Sequence, residues 1–155
     1  MGFFDKPGKG GLESLSQGRF ARLFDANNVN YGTDDDGDIM AGFGPGMFWL
    51  MAAGSDGDIL RIQSRWMATI PADQYDRVVQ LGNDFNASHY FPRCFAQRDE
   101  AGDVIAFCDI VADCTSGVTD EQLDIYISAA TTTANQYYDV LAQEYPDIAA
   151  GIEVD

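Results

Sequence analysis

Residues 47–66 read MFWLMAAGSDGDILRIQSRW. Two runs rich in aromatic and aliphatic side chains flank SDGD, residues 55–58, where Gly57 precedes Asp58. A glycine between two such runs marks a hairpin loop, since it takes a positive φ at little cost. The loop then fixes which residues oppose each other, and opposed residues share a face of the sheet. Leu60 should face Ala52 and Ile62 should face Leu50, with Phe48 and Trp66 continuing that side, which helices are expected to cover. Met47, Trp49, Met51, Arg61, Gln63 and Arg65 fall on the other side. Tyr31, Ala41 and Phe43 join them if the Gly44-Pro45-Gly46 bend introduces no bulge.

The same loop chemistry appears twice more, in DGD at 36–38 and in EAGD at 100–103. Residues 33–43, TDDDGDIMAGF, also invite a cation reading through Asp34, Asp36 and Asp38. A calcium loop of the EF-hand type needs glycine at its sixth position and Glu at its twelfth, and Ile39 and Pro45 stand there. A type I turn closed by left-handed Gly37 explains the spacing without an ion, with weak Ca²⁺ or Mg²⁺ binding as the alternative. In the EAGD hairpin the rule sets Phe95 opposite Phe107, Arg93 opposite Asp109 and Cys94 opposite Cys108. The thiol pair reads as two small buried hydrophobes or as a redox switch.

Working outward, Phe20, Leu23 and Phe24 share one helical face, with Arg19 and Arg22 on another side. Four strands follow, over about 29–34, 38–44, 47–53 and 58–69. Pro71 opens a second helix that Pro92 ends, its stripe including Tyr75, Val78, Val79, Gly82, Phe85, Asn86 and His89. Strands at about 93–99 and 103–113 come next. A capping box of Thr119 and Gln122 then starts a long helix whose Leu123, Tyr126, Ile127, Ala130, Ala134, Tyr137, Tyr138 and Leu141 form one stripe up to Pro146. The expected class is α+β: a twisted antiparallel sheet of about six strands with three helices, in the order α-β-β-β-β-α-β-β-α. A single domain over 14–150 with a flexible leader over 1–13 is expected, since 155 residues with 46% hydrophobic content suit one core.

The balance of 25 acidic against 9 basic side chains gives a net charge of −16, which repels nucleic acid phosphates and anionic lipid surfaces. No nucleic acid or membrane partner is therefore expected. Three cysteines without a CxxC, and no signal-peptide-like run, point to the cytoplasm and free thiols. A single histidine, His89, leaves every His-dependent catalytic arrangement resting on one residue, and no phosphate loop or nucleophile elbow is present. No cofactor is expected. The one functional lean is the Met47, Trp49, Met51, Arg61 and Arg65 face, whose mixture of Met, aromatic and Arg suits a protein interface. A second buried layer and a homodimer contact are equally open readings of it. Asn83 and Asn86, with Gly82 just before them, read as structural: amides closing local backbone groups and a small residue for close helix approach.

RLFDANNVNYGTDDDGDI at 22–39, followed by the segment from Gln80 to Leu141 with Asn83 and Asn86 leading into Tyr90-Phe91-Pro92 and the closing TSGVTDEQLDIYI, resembles the YbjN family of bacterial regulators. The resemblance implies a fold similar to type III secretion chaperones, in which helices pack a twisted antiparallel sheet and homodimers are common. It carries no catalytic residues. The expectation is a non-enzymatic regulator or chaperone-like module that captures a protein segment on a sheet face or edge, with a small-ligand or cation sensor as the alternative.

Overall fold

A computed structural model describes residues 11–154. The elements run α1 (Gln17–Ala26), β1 (Gly32–Thr33), β2 (Ile39–Phe43), β3 (Gly46–Ala53), β4 (Ile59–Trp66), a single 3₁₀ turn (Ala72–Gln74), α2 (Tyr75–Ser88), β5 (Arg93–Arg98), β6 (Val104–Asp113), α3 (Asp120–Glu144) and the short α4 (Pro146–Ala149). The six strands form one sheet, wholly antiparallel, in the order β1-β2-β3-β4-β6-β5. The α+β class and the main element order match the expectation, with β1 reduced to two residues and α4 added after Pro146.

The hairpin chemistry accounts for the register. Gly37, Gly57 and Gly102 all have positive φ, at 84°, 70° and 88°. In the first loop the Asp34 N–H donates to the Asp38 carbonyl and the Gly37 N–H to the Asp34 carbonyl, and Asp99, Gly102 and Asp103 repeat both bonds. Leu60 accordingly opposes Ala52, Ile62 opposes Leu50, Phe95 opposes Phe107, Arg93 opposes Asp109 and Cys94 opposes Cys108.

One placement differs. Ala41 opposes Phe48 and is buried, and Phe43 opposes Gly46 and packs edge-on against Phe24 and Phe48, so neither joins Trp49. Tyr31 likewise lies against Phe24, at 5.8 Å between ring centroids. The reason is that Gly46 belongs to β3. The reversal contains only Gly44 and Pro45, and a one-residue change in loop length exchanges the two faces of β2. Met40 and Gly42 take the outward positions.

All three larger helices lie on the face carrying Phe48, Leu50, Leu60, Ile62 and Trp66, as their contacts with the sheet and shared burial show. Ala130 and Ala134 let α3 approach, and Tyr137 and Tyr138 fill the space beyond them with no exposed surface. Ser64 Oγ and Tyr138 Oη lie 2.6 Å apart, joining β4 to α3 inside the core. The Thr119–Gln122 capping box is formed in both directions. Gly82 allows α2 to come close: a Cβ there would stand 3.4 Å from Tyr137 Oη and 3.5 Å from Cys94 Cβ.

Arg19, expected on another side of α1 from Phe20, Leu23 and Phe24, is 4% exposed. Its guanidinium donates to the Glu13 carbonyl at 2.7 Å and to Asp120 Oδ1 at 2.9 Å, linking the segment before α1 to the start of α3. Glu13 and Val118 also pair through their backbones, which ties Glu13, within the expected leader, to the fold. Residues 1–10 of that leader lie outside the described residues.

Candidate functional site: the open face of the sheet

With the helices on one side, no described element covers the other. Three rungs of paired side chains cross its centre, and a fourth, Ala53, Ile59 and Asp113, follows at the hairpin end. The first runs Met47, Arg65, Phe107, Phe95; the second Met40, Trp49, Gln63, Asp109, Arg93; the third Met51, Arg61, Val111. Met47, Trp49, Met51, Arg61 and Arg65 therefore do share one surface, and all five are partly exposed. Of the three readings left open for this surface, a second buried layer within the chain does not exist among the described residues.

The rungs divide into lengthwise bands. Methionines and Trp49 from β2 and β3 form one apolar flank, and Phe95, Phe107 and Val111 from β5 and β6 form the other. The Phe95 and Phe107 rings stack at 5.3 Å with planes 9° apart, and the Arg93 guanidinium sits 5.0 Å over the Phe95 centroid. Between the flanks lies the polar row of β4: Arg61, Gln63 and Arg65. Tyr90, Phe91 and Val111, all exposed, extend the apolar surface beyond β5 around a shallow hollow of about 470 Å³ that also touches Arg93 and Asp109.

Asp109 is the carboxylate of these three rungs, and its side chain is 1% exposed. Arg61 Nε and Nη2 donate to its Oδ2 at 3.2 and 3.1 Å, while Arg93 Nε donates to Oδ1 at 2.8 Å and its Nη2 to Oδ2. That hydrogen bonding holds the Arg93 pKa above its ordinary value. Arg65 has no carboxylate partner among the described residues; its Nε donates to the Trp66 carbonyl at 3.3 Å. Two of the three guanidiniums thus share one buried carboxylate and the third has none, so the centre of this face is positive on a chain of net charge −16. The reading of the chain as a sequence had not assigned Arg93, Phe95, Phe107, Asp109 or Val111 to this face. The predicted pairs Arg93–Asp109 and Phe95–Phe107 carried the signal, but only the pairing of β4 with β6 brings them alongside Arg61 and Arg65.

The edges are less accessible than the face. β1 is two residues long. On β5 the outward N–H and C=O of Cys94 are both taken by the Asn86 side chain, at 2.7 and 2.9 Å, so an amide occupies the place of a neighbouring strand.

The aspartate hairpin does gather its carboxylates: oxygens of Asp34, Asp36 and Asp38 come within 4.8 Å of one another. Their local work is visible. Asp34 Oδ1 accepts the N–H groups of Asp36 and Asp38 at 3.0 and 2.9 Å, an Asx turn, and Asp38 Oδ1 accepts from Gln17. Desolvation, then the neighbouring Asp34 charge, raise the Asp38 pKa.

Potential nucleophiles are insulated. Cys94 and Cys108 place their sulfurs 3.7 Å apart inside the core, and burial pushes the Cys108 thiol well up. Burial similarly raises Tyr137 and Tyr138. His89 is an exposed residue stacked on Phe85 at 3.8 Å, its Nδ1 beside Ser88 Oγ and the Phe85 carbonyl.

Residues 16–143 match the sequence profile of YbjN, described as "Putative bacterial sensory transduction regulator". The chain belongs to the YbjN family. Comparison with curated proteins finds no significant match. Among solved structures, one titled "Crystal structure of YbjN, a putative transcription regulator from E. coli" superposes with a TM-score of 0.73 at 11% identity, covering 87% of this chain and 96% of that one. At that identity the likeness establishes the fold alone of this YbjN-family chain. No described helix is long and apolar enough to cross a membrane.

Proposed function

We propose that this YbjN-family chain is a non-enzymatic regulator, acting in the cytoplasm in a chaperone-like manner, that captures a segment of another protein on the open face of its sheet. The observation that carries the reading is the uncovered surface made by Met47, Trp49, Met51, Arg61 and Arg65 together with Phe95, Phe107 and Val111. An exposed apolar patch of this kind, set with an aromatic anchor and arginines, is what protein recognition uses. Asn86 and the shortness of β1 favour the face over edge addition. The insulated thiols and phenols support a binding role over a covalent chemistry, and adjacent unbridged sulfurs suit a reducing compartment.

A photo-crosslinking amino acid placed at Trp49 and, separately, at exposed Glu121 on α3 tests this in native lysate. The expected result is a discrete crosslinked protein from position 49 that is absent from position 121 and lost when Met47 and Met51 are changed to Asp. Equal products from both positions, or none, would remove the proposal. Products containing only this chain would assign the face to a homodimer instead.

A further inference from the structure

We infer that the occupant of this face is a short acidic segment of a different protein, with carboxylates set on the β4 arginine row and apolar side chains on the two flanks. The inference rests on the binding reading above and names the partner's chemistry. Charge placement carries it. The described arginines outside this face are engaged elsewhere: Arg19 and Arg22 with Glu13 and Asp120, Arg77 with Glu144, and Arg98 with the Ala72 and Gly102 carbonyls. Arg61, Arg65 and Arg93 lie on the open face, where Arg61 and Arg93 share Asp109 and Arg65 has no carboxylate partner among the described residues. A surface that gathers unneutralised cations on a strongly acidic chain is complementary to an anion and repels a cation.

Geometry narrows the anion. Arg61 and Arg65 are four residues apart on one strand, a separation of about 13 Å, which is also the i to i+4 distance of an extended chain laid along β4. The carboxylate-rich hairpins around Asp34–Asp38 and Asp56–Asp58 stand at the end of the same sheet, near Met51 and Ala53. They would repel a long polyanion such as duplex DNA while leaving room for a short segment. A second copy of the chain placed face to face would set one arginine row against another.

Fluorescence anisotropy in 50 mM NaCl, with three labelled probes, separates the possibilities. The first is a 12-residue peptide with Glu at i and i+4 and Leu or Phe between them; the second replaces each Glu with Gln; the third is a 20-base-pair DNA duplex. The acidic peptide should bind at least about tenfold more tightly than the Gln peptide. Arg65→Gln, which removes no ion pair from the fold, should weaken it about threefold and Arg65→Glu about tenfold or more, with a further loss in 300 mM NaCl.

Equal affinity for the Glu and Gln peptides, sensitive to Trp49→Ala and insensitive to Arg65→Glu, would overturn the acidic preference while leaving the face a binding site. No binding of any probe, or preference for the duplex, would overturn the inference. So would sedimentation showing that the wild-type chain assembles through this face, with Arg65→Glu altering the assembly. Circular dichroism of Arg65→Glu matching wild type secures the comparison.

Discussion

The arginine row depends on where β4 is held, and β4 is anchored from behind by the Ser64–Tyr138 hydrogen bond. Ser64 lies between Gln63 and Arg65 with its side chain toward the helices; its Oγ is 2.6 Å from Tyr138 Oη, and the two residues are 1% and 0% exposed. Removing one hydroxyl leaves its partner buried without that bond, which costs about 1–3 kcal/mol, whereas removing both with little change of shape approaches neutrality. Ser64→Ala strands the tyrosine hydroxyl, with only the weakly interacting Cys108 sulfur nearby, and should cost about 2 kcal/mol. Tyr138→Phe strands the smaller serine hydroxyl and should cost about 1.5 kcal/mol. The double variant should lose only about 1 kcal/mol and so be more stable than Ser64→Ala alone. Urea unfolding at pH 7, followed by fluorescence of Trp49 and buried Trp66, gives the four free energies. Additive losses, with the double variant the least stable of the four, would refute the claim that these hydroxyls satisfy one another.

Three further outcomes follow from single contacts. A Cβ at Gly46 would lie 2.7 Å from Phe48 Cε2 and 2.8 Å from Tyr138 Cε2, so Gly46→Ala should lose about 2–3 kcal/mol in the same urea assay, through overpacking between the start of β3 and α3. The Arg19 hydrogen bond holds the Asp120 carboxyl below the usual range, and the Arg77 hydrogen bond does the same for Glu144. Because the unfolded chain takes up these protons first, near pH 4, their stabilisation is present above that value and lost as pH falls through the lower native values. Unfolding midpoints measured from pH 6 to pH 3 should therefore drop less steeply in Asp120→Asn/Glu144→Gln, which starts from a lower value at pH 6. Asp109→Asn removes the carboxylate shared by Arg61 and Arg93, and should lower stability while tightening the Glu peptide about threefold in anisotropy, opposite signs from one substitution.

How far the sequence revealed this molecule depended on the range of each interaction. Where a glycine sets the loop, the next several pairs follow by counting, and Leu60–Ala52, Arg93–Asp109 and Cys94–Cys108 were all legible. The capped helix α3 was legible too, because Thr119, Gln122 and the apolar stripe all lie within one segment. Ala41 and Phe43 were misplaced because the Gly44-Pro45-Gly46 bend can lose two or three residues to the turn, and each choice inverts β2. Packing Phe43 against Phe24 and Phe48 settles that choice, and no local signal reports a contact with α1. The burial of Arg19 was hidden for the same reason, since Asp120 is its partner across about a hundred residues of chain.

The candidate site shows this dependence most clearly. Met47, Trp49, Met51, Arg61 and Arg65 could be grouped from one hairpin, and Arg93, Phe95, Phe107 and Asp109 from another, yet each group alone is only part of the surface. Joining them requires β6 to return between β4 and β5, carrying Val111 beside Arg61 and Phe107 beside Arg65. The α2 crossover carries the chain from β4 one place past its neighbour to β5, and the Asp99–Asp103 hairpin returns β6 into the gap; α2 approaches β5 closely at Gly82 and blocks its edge through Asn86. The same crossover therefore helps complete the open face and closes the β5 edge at Cys94, leaving side chains more accessible than backbone there. On the binding proposed for this face, specificity lies in the placement of charge, with Asp109 drawing Arg61 and Arg93 together and Arg65 left for the acidic segment.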